Sequence, residues 1–242
     1  MNFGIKEILR TTLNTLHLDI TQNLKYDRLT KLIIKRVLSP DSICIDVGAH
    51  KGAILKLFLK SAPKGRHIAF GPIPFLYEAL KTKFADVCSV FPFALGDETK
   101  ETTFQFIRNA PAYSGILKRN YPVTNPDIRE ILVLMTTIDY FLMTTEKIRL
   151  IKIDVEGGEF AVLKGAQNRL KSDKPYVIFE CGLGASEFYG TTPTAIYDFM
   201  VETVNLKLSL LDDWLQGKEP LSRDRFCNYY TTGKEYYFLA HP

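Results

Sequence analysis

A short apolar run, Ile43-Cys44-Ile45, breaks at Asp46-Val47-Gly48-Ala49-His50-Lys51-Gly52 and resumes as Ala53-Ile54-Leu55-Lys56-Leu57-Phe58-Leu59. The pattern is strand, glycine turn, helix. Gly48 reaches φ values closed to other residues, and Gly52, at the mouth of the helix, leaves room for a ligand against the backbone. Open amides at a helix start attract a carboxylate or a phosphate. In an open α/β sheet, ligands bind where such turns leave the carboxyl ends of the strands. The turn reads as the seat of a nucleoside-bearing cofactor. Taken alone, it reads equally well as a tight βα turn that binds nothing.

From residue 43 onward, strand and helix patterns alternate. Strands are predicted over 43–47, 66–70, 89–91, 148–153 and 175–180, and helices over 53–61, 75–84, 160–170 and 194–203. The sum is a mostly parallel α/β sheet with helices on both faces. Residues 94–97 read as a loop, 102–107 as an extra strand or hairpin, 131–135 as a β-like run and 138–142 as the start of a short helix. The last two strands, 206–211 and 236–240, are separated by what reads as a loop, which favours an antiparallel pair at one edge. Residues 109–126 are rich in Pro, Tyr, Asn and Gly and lack any period. Such a segment is either a substrate loop or a disordered connector. Before the alternation begins, apolar spacing predicts helices over 3–18 and 26–38, the second ended by Pro40. The expected organisation is a helical cap over 1–40 and one α/β domain over 41–242.

Charge and cysteine usage narrow the function. The net charge of +4 comes from scattered basic residues, without the clustering that a nucleic-acid surface requires. Cys44, Cys88, Cys181 and Cys227 form no C-x-x-C pair, so a zinc knuckle is not expected, and they read as free thiols in a reducing compartment. No signal-peptide pattern opens the chain and no apolar run reaches transmembrane length, so a cytoplasmic protein is expected.

A second constellation lies at Lys152-Ile153-Asp154-Val155-Glu156-Gly157-Gly158-Glu159. Asp154 and Glu156 lie two apart at the carboxyl end of the most apolar strand, and point the same way if the backbone stays extended. Beside the first strand, they would face the topological switch point. There they would stabilise a cation, act as a general base or bind a metal. The alternative is a helix start decorated with acids, as the macrodipole favours, which suits Glu159 well. Glu180, ending the next strand, and Tyr113 and Ser114, in the irregular segment, are candidate acceptor contacts.

These blocks, with Ala69-Phe70-Gly71-Pro72-Ile73-Pro74, Ala94-Leu95-Gly96-Asp97 and Leu163-Lys164-Gly165-Ala166, resemble the FkbM family of S-adenosylmethionine-dependent methyltransferases over roughly residues 43–210. The resemblance implies a class I methyltransferase fold: a Rossmann-like, mostly parallel seven-stranded sheet whose last strand is antiparallel. It implies methyl transfer from S-adenosyl-L-methionine, usually to a hydroxyl of a small-molecule or carbohydrate acceptor. Asp46, Gly48, Ala49, His50 and Gly52 would line the methionine end of the cofactor and Asp97 the adenine. Asp154 and Glu156 would face the sulfonium and the acceptor, with Asp154 the first choice of base and Glu156 the second. A divalent ion bridging those two carboxylates lacks an added His or Asn, so no metal is assigned. One position departs from the family: Gly71 stands where an acid usually binds the cofactor ribose. That leaves a non-catalytic or weakened variant as the alternative. A nicotinamide-dependent oxidoreductase is disfavoured, because the turn is not G-x-G-x-x-G. Acceptor identity is not legible, and a homo-oligomer stays open.

Overall fold

A computed structural model describes residues 21–142 and 146–242, so the helix expected over 3–18 lies outside the described residues. Helix α1, Gln22–Val37, starts one turn before its apolar stripe because the Thr21 hydroxyl caps it, accepting the Leu24 N–H at 3.3 Å. Tyr26, Leu29, Ile33, Ile34 and Val37 form its buried face. Pro40 lies just beyond its end, as expected.

The alternation then follows: β1 (Ile43–Val47), α2 (Ala53–Ser61), β2 (His67–Phe70), α3 (Pro74–Phe84) and β3 (Cys88–Phe91). A second, small sheet is inserted next, from β4 (Ala94–Leu95), β5 (Lys100–Ile107) and β6 (Ile128–Thr136), followed by α4 (Ile138–Phe141). The main series resumes with β7 (Ile148–Ile153), α5 (Glu159–Lys164), α6 (Gln167–Asp173) and β8 (Tyr176–Glu180). It ends with α7 (Pro193–Asp198, continuing as a π-turn over Phe199–Thr203), β9 (Lys207–Leu210), α8 (Leu211–Leu215), α9 (Arg223–Thr232) and β10 (Tyr237–His241).

The main sheet runs β3-β2-β1-β7-β8-β10-β9. The first five strands are parallel, and β10 is antiparallel to both neighbours. This is the expected seven-stranded α/β architecture. The chain leaves β1 toward β2 on one side and returns as β7 on the other, so the cleft between β1 and β7 is the switch point. Both sheet faces are buried. Ile45, Ile151 and Phe179 pack against α5, α6 and α9 through Val162, Leu170 and Phe226. Cys44, Leu150 and Ile178 pack against α1 and α2 through Ile33, Leu55 and Phe58.

Three expectations need correction. Residues 94 and 95 form a strand rather than a loop, because they pair with Met135 and Thr136 of β6. The helix expected over 160–170 is two helices. A Cβ on Gly165 would lie 1.9 Å from the Gly96 carbonyl, so the backbones abut there, and Asp139 caps α6 by accepting the Asn168 and Arg169 N–H groups at 2.8 and 2.9 Å. The segment joining β9 to β10 contains α8 and α9, not a loop. Helix α9 buries only Phe226 and Tyr230 among polar neighbours, too thin a stripe to read. The edge pair itself is antiparallel, as expected. Among the described residues, no helix is long and apolar enough to cross a membrane.

Candidate active site

Strand β1 delivers Asp46 to the cleft and the chain then turns sharply. The Gly48 and Ala49 N–H groups both donate to the Phe70 carbonyl at 3.0 Å, which ties the turn to the end of β2. Gly48 has φ +83°, and a Cβ there would lie 1.9 Å from the Asp154 carbonyl oxygen. Glycine is therefore required by the approach of β7. His50 is also left-handed, at φ +44°. Gly52 has a different reason from the expected one: its missing Cβ makes room for Leu80 and Phe84 of α3, at 2.8 and 2.7 Å. Helix α2 starts without a side-chain cap, and its first residues, Ala53 and Ile54, lie on the wall of the cleft.

Asp46 is 2% exposed, and its Oδ2 has no hydrogen-bond partner. Burial, with Asp154 adding to it, pushes its carboxyl up to about 7 against the opposing Lys152 and the Leu55 amide. His50 is lowered by burial and then by Lys51, with Asp154 opposing.

At the end of β7 the backbone leaves the extended form. Asp154 N–H bonds to the Val47 carbonyl at 3.0 Å, Glu156 adopts φ +64° and Gly157 φ +110°. Asp154 and Glu156 thus reach the cleft from a turn, not as alternating neighbours on one strand. Asp154 Oδ2 accepts from Tyr237 Oη at 2.8 Å and Lys152 Nζ at 3.1 Å, while its side chain stays 35% exposed. Glu156 forms an ion pair with Arg119. Burial first, then Asp154, pushes Glu156 up to about 9, with Arg119 opposing. Glu159 is spent on the turn itself: its Oε1 accepts the Val155 and Gly157 N–H groups at 2.9 and 3.2 Å. Glu180 is raised by burial and by Asp154.

Residues 109–126 form an ordered wall across the cleft rather than a loose connector. Gly115 bridges to Gln105, Ser114 Oγ accepts the Ile107 N–H at 3.0 Å, and Leu117 N–H donates to Tyr189 Oη at 3.0 Å. Together these elements enclose a cavity of about 1050 Å³. Its wall brings together Asp46, Gly48, Ala49, His50 and Gly71 at the β1–β2 end. Asp154, Glu156, Glu180, Tyr113 and Ser114 share the same wall. Gly52 and Asp97 do not line it, and Asp97 pairs with Lys164 instead. A Cβ on Gly71 would meet nothing within 4 Å, so no packing reason calls for glycine there.

Among the polar wall residues that matter here, Arg119, Tyr121 and Tyr237 were not singled out from sequence, and Lys152 was named in the second constellation without a role. Lys152 carries a signal, being a charged residue one step from the end of a strand exposed only at Arg149. The others lie in an aperiodic segment or a distant strand, where no local pattern marks them. Among the described residues, no three His, Cys, Asp or Glu side chains are grouped to hold a metal ion.

The acid-lined turn fits a cationic, amino-acid-bearing cofactor: an unpartnered buried carboxyl oxygen on Asp46 faces a cleft flanked by open helix amides. Comparison with known proteins gives the family. The family model described as the methyltransferase FkbM domain matches residues 46–208. The methyltransferase FkbM of Methylobacillus flagellatus KT shares the fold at 15% identity and a TM-score of 0.52, over 84% of this chain and 44% of that one. The StiE O-MT structure aligns at 10% identity and a TM-score of 0.45, over 95% of this chain and 80% of that one. The AMB antimetabolite synthetase AmbE of Pseudomonas aeruginosa is 25% identical over 180 residues, 60% of this chain. This chain spans only 8% of that synthetase.

Proposed function

The chain belongs to the methyltransferase FkbM domain family, and from that premise we propose that it is an S-adenosylmethionine-dependent O-methyltransferase acting on a hydroxyl of a small molecule or sugar. The observation that carries this reading is that a buried Asp46, with its Oδ2 unpartnered, and a doubly hydrogen-bonded, still accessible Asp154 line the same β1–β7 cleft. S-adenosylmethionine supplies a methyl group on a cationic sulfur. Asp46, the Gly48 turn and the first amides of α2 would hold its amino-acid end. Asp154 is the base for the acceptor hydroxyl. Lys152 and Tyr237 fix its Oδ2, which leaves the rest of the carboxylate free to take a proton. A base so placed contributes on the order of 10²–10⁴-fold, and holding the reactants in line contributes up to ~7–11 kcal/mol. Glu156 is the second choice, because burial raises its carboxyl and it is already engaged by Arg119.

Gly71 favours a second reading, in which cofactor binding is weakened. The open space around it makes the test clean. Titration calorimetry with S-adenosylhomocysteine should show saturable binding, weakened by Asp46→Asn and strengthened roughly 10-fold or more by Gly71→Glu, which restores charge-assisted bonds to the ribose. No detectable binding by any of the three proteins at millimolar ligand would sink the methyltransferase reading. Equal affinity of Gly71→Glu and the parent would sink the weakened-site reading.

A further inference from the structure

The irregular segment brings into the cavity a guanidinium that methyl transfer as described does not use. The Arg119 side chain is 6% exposed. Its Nη2 pairs with Glu156, its Nη1 donates to the Gly184 carbonyl at 3.2 Å, and its Nε is buried with no partner. The rings of Tyr113 and Tyr121 flank it, with centroids 5.9 and 5.5 Å from Cζ. Tyr121 Oη is likewise buried with no partner. Both side chains lie on the cavity wall. A buried donor left unpaired is destabilising, so two orphans on one cavity wall mark a place prepared for something that accepts.

The charge balance names that acceptor. Glu156 engages only Nη2 of Arg119, which leaves the Nε donor without an acceptor. Asp154 is already held by Lys152 and Tyr237, and Glu159 is taken up by the Val155 and Gly157 N–H groups. An ammonium group would be repelled by Arg119, and a single hydroxyl would offer one acceptor where two donors, Arg119 Nε and Tyr121 Oη, lack one. A planar or tetrahedral oxyanion presents two oxygens to the Nε–Nη edge of the fork and compensates the charge. Flanking aromatic rings suit guanidinium and keep the site dry.

We propose that the cavity holds an anchoring subsite in which Arg119 and Tyr121 bind an oxyanion, a carboxylate or a phosphate, carried by the methyl acceptor. This rests on the methyltransferase reading of the same cavity. The oxyanion competes with Glu156 for Arg119 Nη2, so acceptor binding frees the Glu156 carboxyl from its ion pair.

The test uses the full chain, with and without S-adenosylhomocysteine, titrated with benzoate, phenyl phosphate and the neutral benzamide. At least one anion should bind about 10-fold or more tighter than benzamide, and which one does so separates carboxylate from phosphate. Arg119→Met should abolish that preference, Arg119→Lys should keep part of it, and Tyr121→Phe should weaken anion binding several-fold. Thermal unfolding checks each variant. If Arg119→Met fails to fold, Tyr121→Phe and Arg119→Lys decide. Benzamide binding as well as both anions, no anion binding at millimolar concentration, or a preference that survives Arg119→Met and Tyr121→Phe would overturn the subsite. Anion binding in a protein that never binds S-adenosylhomocysteine would leave the subsite standing and overturn the methyltransferase reading.

Discussion

Two glycines on one cavity wall separate structural need from chemical opportunity. Gly48 combines φ +83° with a Cβ position 1.9 Å from the Asp154 carbonyl. Gly48→Ala should therefore lose about 2–5 kcal/mol in urea unfolding, from left-handed strain plus a clash with backbone that cannot move aside. Gly71 has neither constraint, and Gly71→Ala should stay within about 0.5 kcal/mol of the parent. A Gly48→Ala loss below that of Gly71→Ala would refute the structural role of the turn. In sequence both positions look alike, as glycines after a strand. The difference lies in what stands opposite each one: β7 opposite Gly48, and open cavity at Gly71. The same argument holds for charge. Lys152 was visible as an ionic residue in an apolar strand, whereas Arg119 had no local signal, because its partners lie 37 residues downstream, at Glu156, or 65 downstream, at Gly184.

At the scale of elements, strands were read more surely than helix limits. β1, β7 and β8 are largely apolar runs, interrupted at Asp46, Arg149, Lys152 and Glu180, and that pattern suits strands buried on both faces. Helix ends depended on groups far away in the chain. The break between α5 and α6 is made by Asp139, whose carboxylate caps α6 from α4. Asp139→Ala should cost about 1–2 kcal/mol in chemical unfolding, in the range of an N-cap loss. A cost indistinguishable from zero would mean that the abutting Gly165 and Gly96 backbones make the break unaided. Residues 109–126 are the clearest case of an element that local pattern could not resolve. Without period or regular structure, they are held as a cavity wall by Ser114, Leu117 and Arg119.

On the scale of the whole molecule, the fold gathers Asp46, Glu156, Glu159 and Glu180 into one poorly solvated cavity. Burial raises all four carboxyls, Asp46 and Glu159 to about 7 and Glu156 to about 9. The sign of the linkage follows. Between the ordinary carboxylate range and these raised values, the folded state binds more protons than the unfolded one, so stability falls as pH rises. The unfolding midpoint of the ligand-free protein should drop from pH 5.5 toward pH 8.5, and Glu156→Gln should flatten that slope. A slope unchanged in Glu156→Gln would remove Glu156 from the account. The same cluster would favour a cationic cofactor, since a nearby positive charge lets Asp46 ionise.

Sequence alone determined the parallel α/β architecture, the antiparallel last strand by way of the family resemblance, and the location of a cleft after β1 and β7. Those features rest on periodicity and on glycine turns, which are local properties of the chain. Tertiary structure alone decided which polar groups meet in the cleft: the Lys152–Asp154–Tyr237 cluster, the Arg119–Glu156 pair beside Tyr121, and the vacant volume at Gly71. Such contacts join segments up to 85 residues apart, between Lys152 and Tyr237. Burial and charge at a site are set by everything that surrounds it, and no stretch of sequence carries that information by itself.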